Sequence, residues 1–420
     1  MDIATLGEPL FPSPILRTVN DRLRIPYRIT RELDTPVEPE HLFEIAGPRS
    51  RLFFDSKQTC AGIVTCGGLC PGLNNVIRAL YMELYHAYGV RKILGFRGGY
   101  KGLDPVHGEE PIVMNSEFVT DIHTNGGTIL GTSRGSVDIS RAVDNLIRRG
   151  VNILFIIGGD GTQRGGNALF QEAKKRGHAL SVVGIPKTVD NDIAFVTRTF
   201  GYLTAVQEAA HVLNRAHTEA SSVHNGIALV KLMGRHAGFI AAGATVASQD
   251  VNFVLIPEVA FKLEGPRGLL ALLQERLRTR SHAVVVVAEG AGQDMLSASE
   301  DERDASGNVR LKDIGPFLRD KIEMHFKTQK IPMVMRYIDP SYIIRSSPAN
   351  SEDSILCALF ARHAVHAAMA GKTGLVIGYL HDTFIHVPIE LLTSVKKAMD
   401  PAGPAWSAAL SATGQPEAFE

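Results

Sequence analysis

From Ala61 onward, short runs of aliphatic and β-branched residues end in glycine-rich turns and give way to helical stretches. The run Ile153-Leu154-Phe155-Ile156-Ile157 is apolar at every position, as a strand buried on both faces must be. Repeated strand–helix units of this kind build an α/β fold, a parallel sheet covered by helices on both sides. The pattern predicts strands over 62–65, 92–96, 153–157, 182–185, 227–230, 251–256, 283–288 and 375–377. It predicts helices over 75–88, 141–149, 162–176, 204–219, 268–280 and 351–370. In open sheets of this class ligands sit beyond the carboxyl ends of the strands, so the residues just after each strand carry the most information.

The remaining sequence limits partners and location. With 420 residues, 45% of them hydrophobic, the chain can bury a large core and divide into two or three domains. Lys plus Arg and Asp plus Glu both number 44, which leaves no general positive field for nucleic acid or anionic lipid. Small molecules are the expected partners. The longest apolar runs, 151–157 and 283–288, are about a third of the roughly 20 residues of a membrane span. Met1-Asp2-Ile3-Ala4 opens no secretory signal, and four cysteines give no disulfide framework, so a cytoplasmic protein is expected. Residues 1–55, rich in proline and charge, read as an N-terminal extension over the main body, and the polar stretch 299–312 as an exposed excursion.

Four strand-end segments carry chemistry. The first strand runs into Thr65-Cys66-Gly67-Gly68-Leu69-Cys70-Pro71-Gly72 ahead of a helix, where backbone N–H groups can approach an anion. The spacing is neither that of a P-loop nor that of a dinucleotide binder, and a plain tight turn has the same composition. Cys66 and Cys70 lack a second Cys/His pair to complete a zinc site and read as packed thiols. In Ile157-Gly158-Gly159-Asp160-Gly161-Thr162 an acidic residue stands among glycines, so that Asp160 can hold Mg²⁺ while Gly158, Gly159 and Gly161 leave room for a polyphosphate. The competing reading is a helix cap, and the same motif serves lipid and NAD kinases. Pro186-Lys187-Thr188-Val189-Asp190-Asn191-Asp192 places two carboxylates beside a lysine and a threonine, which supplies a base for an alcohol and a grip on its incoming phosphate. Such residues are also common in turns. Arg134, in a glycine-rich stretch over 126–135, offers a guanidinium suited to bidentate phosphate contact.

In order and at familiar intervals over roughly 61–373, about three quarters of the chain, these segments resemble the 6-phosphofructokinase family. Gly95 to Leu103, Lys231-Leu232-Met233-Gly234-Arg235-His236-Ala237-Gly238, Ile256-Pro257-Glu258 and Tyr337 to Arg345 match as well, the last two in the manner of the long, ATP-using branch of trypanosomatids and plants. The resemblance implies two Rossmann-like three-layer domains with mainly parallel sheets and the active site in the cleft between them. An ATP/Mg domain would hold 56–200 and about 346–398, and a sugar-phosphate domain 201–345 and about 399–420. Asp190 would be the base that takes the proton from the sugar 1-hydroxyl, Asp160 would place Mg²⁺ on the donor phosphates, and Asp192 would support both the base and the metal. Gly68, Arg134 and Thr188 would hold the transferring phosphate, with Lys187 beside it. Met233, Gly234, Arg235 and Glu258 would grip the sugar, and Arg336, Tyr342 and Arg345 its 6-phosphate. The implied reaction is ATP-dependent phosphorylation of fructose 6-phosphate to fructose 1,6-bisphosphate in glycolysis, by a homo-oligomer, tetramer or dimer.

One departure concerns assembly: where short bacterial members lend an arginine to the neighbouring subunit, this chain has Gly226. The donor turns on Gly161, because pyrophosphate users carry an aspartate there that blocks a nucleotide's α-phosphate. Lys187 is a pyrophosphate-type residue, and the long ATP branch combines it with that glycine, which favours ATP over pyrophosphate. An oxidoreductase would need Gly-x-Gly-x-x-Gly and an acidic residue downstream, and a silent metabolite binder would gain nothing from Asp160 and Asp190 facing phosphates.

Overall fold

The structure, a computed structural model, describes residues 2–28, 42–296 and 310–420. The predicted excursion over 299–312 lies outside these residues except for Arg310–Lys312. The chain forms two compact units, one of Met1–Thr188, Ile193–Gly201 and Ser347–Lys396, the other of Val189–Asp192, Tyr202–Ser346 and Lys397–Glu420. This division differs from the expected one in two places. The N-terminal residues are part of the first unit, and Val189–Asp192 groups with the second.

In the first unit, five strands run parallel in the order Leu375–Leu380, Ser181–Pro186, Ile153–Gly158, Cys60–Thr65, Lys92–Phe96. Antiparallel strands extend this centre on both sides. Ile112–Val113 closes one edge, while Thr383–Pro388, Leu42–Ile45 and Arg24–Pro26 continue the other, so the N-terminal segment supplies the last two strands. Every residue of the three central strands is buried, as a sheet covered on both faces requires. Side chains such as Val64, Leu154, Ile156 and Val182 pack on the side of helices Ile139–Arg149 and Asp160–Lys175. Helices Leu73–Met82 and Ser351–Met369 pack together and lie on the same unit. The first of these starts at Gly72, whose φ of +99° suits glycine and where a Cβ would stand 2.5 Å from the Cys357 sulfur.

The second unit has four strands, all parallel, in the order Phe253–Leu255, His282–Ala288, Gly226–Leu232, Val334–Ile338. Strand alternation divides its core cleanly. Ile227, Leu229, Ala283, Val285 and Val287 face helices Leu269–Arg280 and Ile314–Thr328, and Ala228, Val230, Val284, Val286 and Ala288 face Tyr202–Ser221, Phe239–Ser248 and Pro404–Thr413.

Candidate active site

The glycine loops of the first unit converge through backbone contacts. Cys66 N–H donates to Ile157 O at 2.9 Å and Lys187 N–H to Gly158 O at 3.1 Å, which aligns the ends of three adjacent strands. Gly67, at φ +84°, donates its N–H to Ser133 O at 3.1 Å, and Thr132 Oγ1 donates to Gly67 O at 2.7 Å. The Lys187 ammonium, buried, donates to Gly68 O at 2.6 Å. A Cβ on Gly68 would lie 3.6 Å from Arg134 Nη2, and one on Gly67 3.2 Å from Lys187 Nζ. Gly68, Arg134 and Lys187 therefore meet in one place, with the Arg134 side chain exposed.

Gly158 and Gly159 lead into helix Asp160–Lys175, whose first residue is the acidic one and whose cap carries no side-chain hydrogen bond. Gly158 has no room for a side chain, since a Cβ would stand 2.2 Å from Thr162 Oγ1. Thr162 and Gln163 are buried, and Gln163 Nε2 donates to Gly158 O at 2.9 Å, which fixes the turn. Beneath it Tyr100 Oη donates to Thr162 O, its ring packed against Gly165. Gly161 is different: it is exposed, and a Cβ there would meet only Arg164 Nη2, at 3.8 Å. No group of three His, Cys, Asp or Glu side chains among the described residues forms a closed metal cage. Asp160, half-buried at the start of its helix, is a single carboxylate of the kind that suits Mg²⁺, which takes one or two carboxylates and completes its shell with phosphate oxygens and water.

The second unit gathers carboxylates. Asp190 Oδ2 accepts the backbone N–H of Arg235 at 3.3 Å. Burial, then the negative charges of Asp192 and Glu289, push the Asp190 carboxyl well above the usual carboxylate range, against the pull of Arg235. Asn191 between the two aspartates is left-handed, φ 56°, a conformation asparagine tolerates. Glu289, just past strand His282–Ala288, is itself raised by burial, with Arg235 and Lys231 opposing. It was not among the sequence candidates, although an acidic residue between a strand end and Gly290 is the signal that marked Asp160.

The remaining sugar-site candidates also lie in this unit. Gly234 has φ +126°, and a Cβ there would stand 2.6 Å from Ala237 O, so the turn between Met233 and Arg235 needs glycine. Met233 is buried and contributes to the core. Both Glu258 oxygens accept Gly238 N–H at 3.0 Å, and Oε1 also accepts Met399 N–H at 2.8 Å, so this carboxylate anchors backbone. Arg336 is exposed and pairs with Glu219 at 3.0 Å, while Arg345 stacks 4.4 Å from the centre of the exposed Tyr342 ring. Thr188 ends the first unit, its carbonyl accepting Thr199 Oγ1 at 2.8 Å. At Gly226 a Cβ would stand 2.1 Å from Ala220 O, so an arginine does not fit that backbone.

The chain matches the phosphofructokinase family model over residues 60–368. It is 47% identical to an ATP-dependent 6-phosphofructokinase of Borreliella burgdorferi over 95% of this chain and 91% of that one. It is 44% identical to the ATP-dependent 6-phosphofructokinase of Amycolatopsis methanolica, over 99% and 95%, and 47% identical to that of Trypanosoma brucei brucei, over 87% and 75%. Among solved structures, a pyrophosphate-dependent phosphofructokinase from Marinobacter aquaeolei aligns with a TM-score of 0.70 at 20% identity, covering 86% of this chain and 93% of that one, a likeness of fold.

Proposed function

The chain belongs to the phosphofructokinase family, and from that premise we infer that it transfers the terminal phosphoryl group of ATP to the 1-hydroxyl of fructose 6-phosphate, forming fructose 1,6-bisphosphate. The observation that carries this reading is near-full-length similarity to enzymes named for the ATP-dependent reaction. The open space at Gly161 supports the donor, because no carboxylate stands there and a Cβ would meet only Arg164 Nη2, at 3.8 Å.

On this reading Asp190 takes the hydroxyl proton as the sugar oxygen attacks phosphorus, and a buried carboxylate with raised proton affinity is suited to that task. Gly68, Arg134, Lys187 and Thr188 hold the transferring phosphate; Gly158, Gly159 and Thr162 shape the donor loop. Asp160 holds Mg²⁺, which when bound neutralises charge on the donor phosphates. Met233, Gly234, Arg235 and Glu258 enclose the sugar, and Arg336, Tyr342 and Arg345 its 6-phosphate, two guanidiniums suiting a dianion. We further propose a cytoplasmic homo-oligomer, consistent with four buried free cysteines.

The test is fructose 1,6-bisphosphate formation with ATP and, separately, with pyrophosphate, in wild type and Asp190→Ala. Turnover with ATP alone is expected, with kcat reduced by about 10²–10⁴ in the mutant and its melting temperature unchanged or raised. Turnover with pyrophosphate alone would show that Lys187 outweighs Gly161.

A further inference from the structure

In strand Gly226–Leu232 every second residue faces helices Leu269–Arg280 and Ile314–Thr328, and Ile227 and Leu229 fill that side of the core. Position 231 continues the same face, where another aliphatic residue would extend the packing, yet it is Lys231. The lysine is buried, with 9% of the residue exposed. Its ammonium meets two carboxylates at 2.9 Å each, those of Asp313 and Asp339. Burial works against the charge, but the two aspartates outweigh it and hold the proton affinity of the lysine above its ordinary value.

Each partner stands at the start of a helix. Asp313 caps Ile314–Thr328, its Oδ1 accepting Gly315 N–H at 3.2 Å as well as the lysine. The residue before it is tied to the strand end that carries Glu289, because Gln293 Nε2 donates to the carbonyls of Glu289 at 2.9 Å and Lys312 at 3.0 Å. Asp339 follows strand Val334–Ile338, whose Ile338 is in register with Val230, so backbone pairing sets Asp339 beside Lys231. Its two oxygens are divided between two tasks. Oδ2 takes the ammonium, while Oδ1 accepts Ser341 N–H at 3.1 Å and Ser341 Oγ–H at 2.6 Å, at the head of helix Ser341–Ser346. That helix carries Tyr342 and Arg345, and of its six residues only Ile344 is buried. A single turn and a half with one core contact does not hold itself in place, so its position depends on the anchored carboxylate at its start.

We propose that Lys231 is a positioning residue for the sugar phosphate: by bridging Asp313 and Asp339 it fixes helix Ser341–Ser346, and so sets where Tyr342 and Arg345 present their phenol and guanidinium. This rests on the reading of those two residues as the 6-phosphate grip. Lys231→Met keeps an apolar stem and removes the charge, and water can reach the carboxylates it leaves behind, since both aspartates are partly exposed. KM for fructose 6-phosphate should rise about 10–30-fold, with kcat and KM for ATP within about twofold of wild type, the signature of lost ground-state binding. Asp339→Asn keeps an acceptor for Ser341 and gives up the ion pair; it should show the same rise in smaller measure, so the test survives a Met variant that does not fold. In an Arg345→Ala background Lys231→Met should add less than about threefold, because the two changes act through one contact. A KM within twofold of wild type overturns the proposal, as does a fall in kcat with KM unchanged or full additivity with Arg345→Ala. The tie itself is read without turnover: amide hydrogen exchange over 341–346 should quicken by about tenfold in Lys231→Met while Gly226–Leu232 holds, and unchanged exchange overturns it. A wild type that makes no fructose 1,6-bisphosphate sinks the assigned reaction instead, and exchange alone then decides the tie.

Discussion

The strand-end loops of the two units are built from opposite materials. Those of the first unit are glycine and backbone, at 67, 68, 158, 159 and 161, with one carboxylate, Asp160, and the buried cation Lys187. Those of the second carry Glu258 and Glu289, and the short segment Val189–Asp192 that groups with it, past the end of a first-unit strand, carries Asp190 and Asp192. The first arrangement suits an anion, which needs close N–H groups and cations; the second suits a hydroxyl, which must lose a proton and whose remaining hydrogen bonds are donated to acceptors. A kinase for an alcohol needs both kinds of group. Glu258 qualifies the contrast, since its oxygens hold the backbone at Gly238 and Met399.

The contrast can be broken by moving a carboxylate into the glycine loop. Gly161 has ordinary helical backbone and open space, so Gly161→Asp should fold normally, with a melting temperature within a few degrees of wild type. Its charge would face the donor's α-phosphate, and kcat/KM for ATP should fall about 100-fold, roughly 3 kcal/mol, while that for pyrophosphate stays or rises. Gly161→Ala adds bulk without charge and should cost far less. Equal losses with both donors would mean that the loop discriminates by shape, and the electrostatic contrast would fail.

Much of the first unit's framework is legible in the sequence because its strands are short, wholly apolar and punctuated by glycine. Elsewhere periodicity is silent. Helix Phe239–Ser248 is apolar on all sides and shows no amphipathic stripe. Helix Ile314–Thr328 begins with Gly315-Pro316, which looks like a break although proline is tolerated in a first turn. Thr383–Pro388 pairs with Leu375–Leu380 across His381-Asp382, both left-handed, without the glycine that normally announces such a turn. Leu42–Ile45 owes its place to a buried ion cluster, in which Glu44 meets Lys372 at 2.7 Å and His386 at 3.0 Å. At the site the acidic loops are readable because their residues are adjacent in sequence. Met399 brings its N–H to Glu258 from 141 positions away, a proximity that only the folded chain creates.

That ion cluster extends the comparison from chemistry to stability. In the first unit, burial pushes His386 down to about 4, with Glu44 opposing, and His363 and His366 down to about 3. Each is held neutral in the fold and takes up a proton more readily when unfolded. Their contribution is complete above the ordinary histidine value near 6.5 and is lost as pH falls toward 4, at about 1 kcal/mol per pH unit per histidine. Glu44 acts in the same direction at lower pH: burial alone would raise its carboxyl, but His386 and Lys372 hold it well below the usual range. In the second unit Asp190 and Glu289 are raised, so the fold favours their protonated forms and gains stability as pH falls through their shifted values. Mild acid should therefore weaken the first unit and spare the second. Hydrogen exchange at pH 7 and pH 5.5, corrected for intrinsic rates, should show Leu375–Leu380 and Thr383–Pro388 losing protection by tenfold or more, while Gly226–Leu232 and His282–Ala288 change little. His386→Gln should flatten part of that loss. Equal loss in both sheets would mean that the units unfold as one, and the opposed signs would then cancel in a single transition.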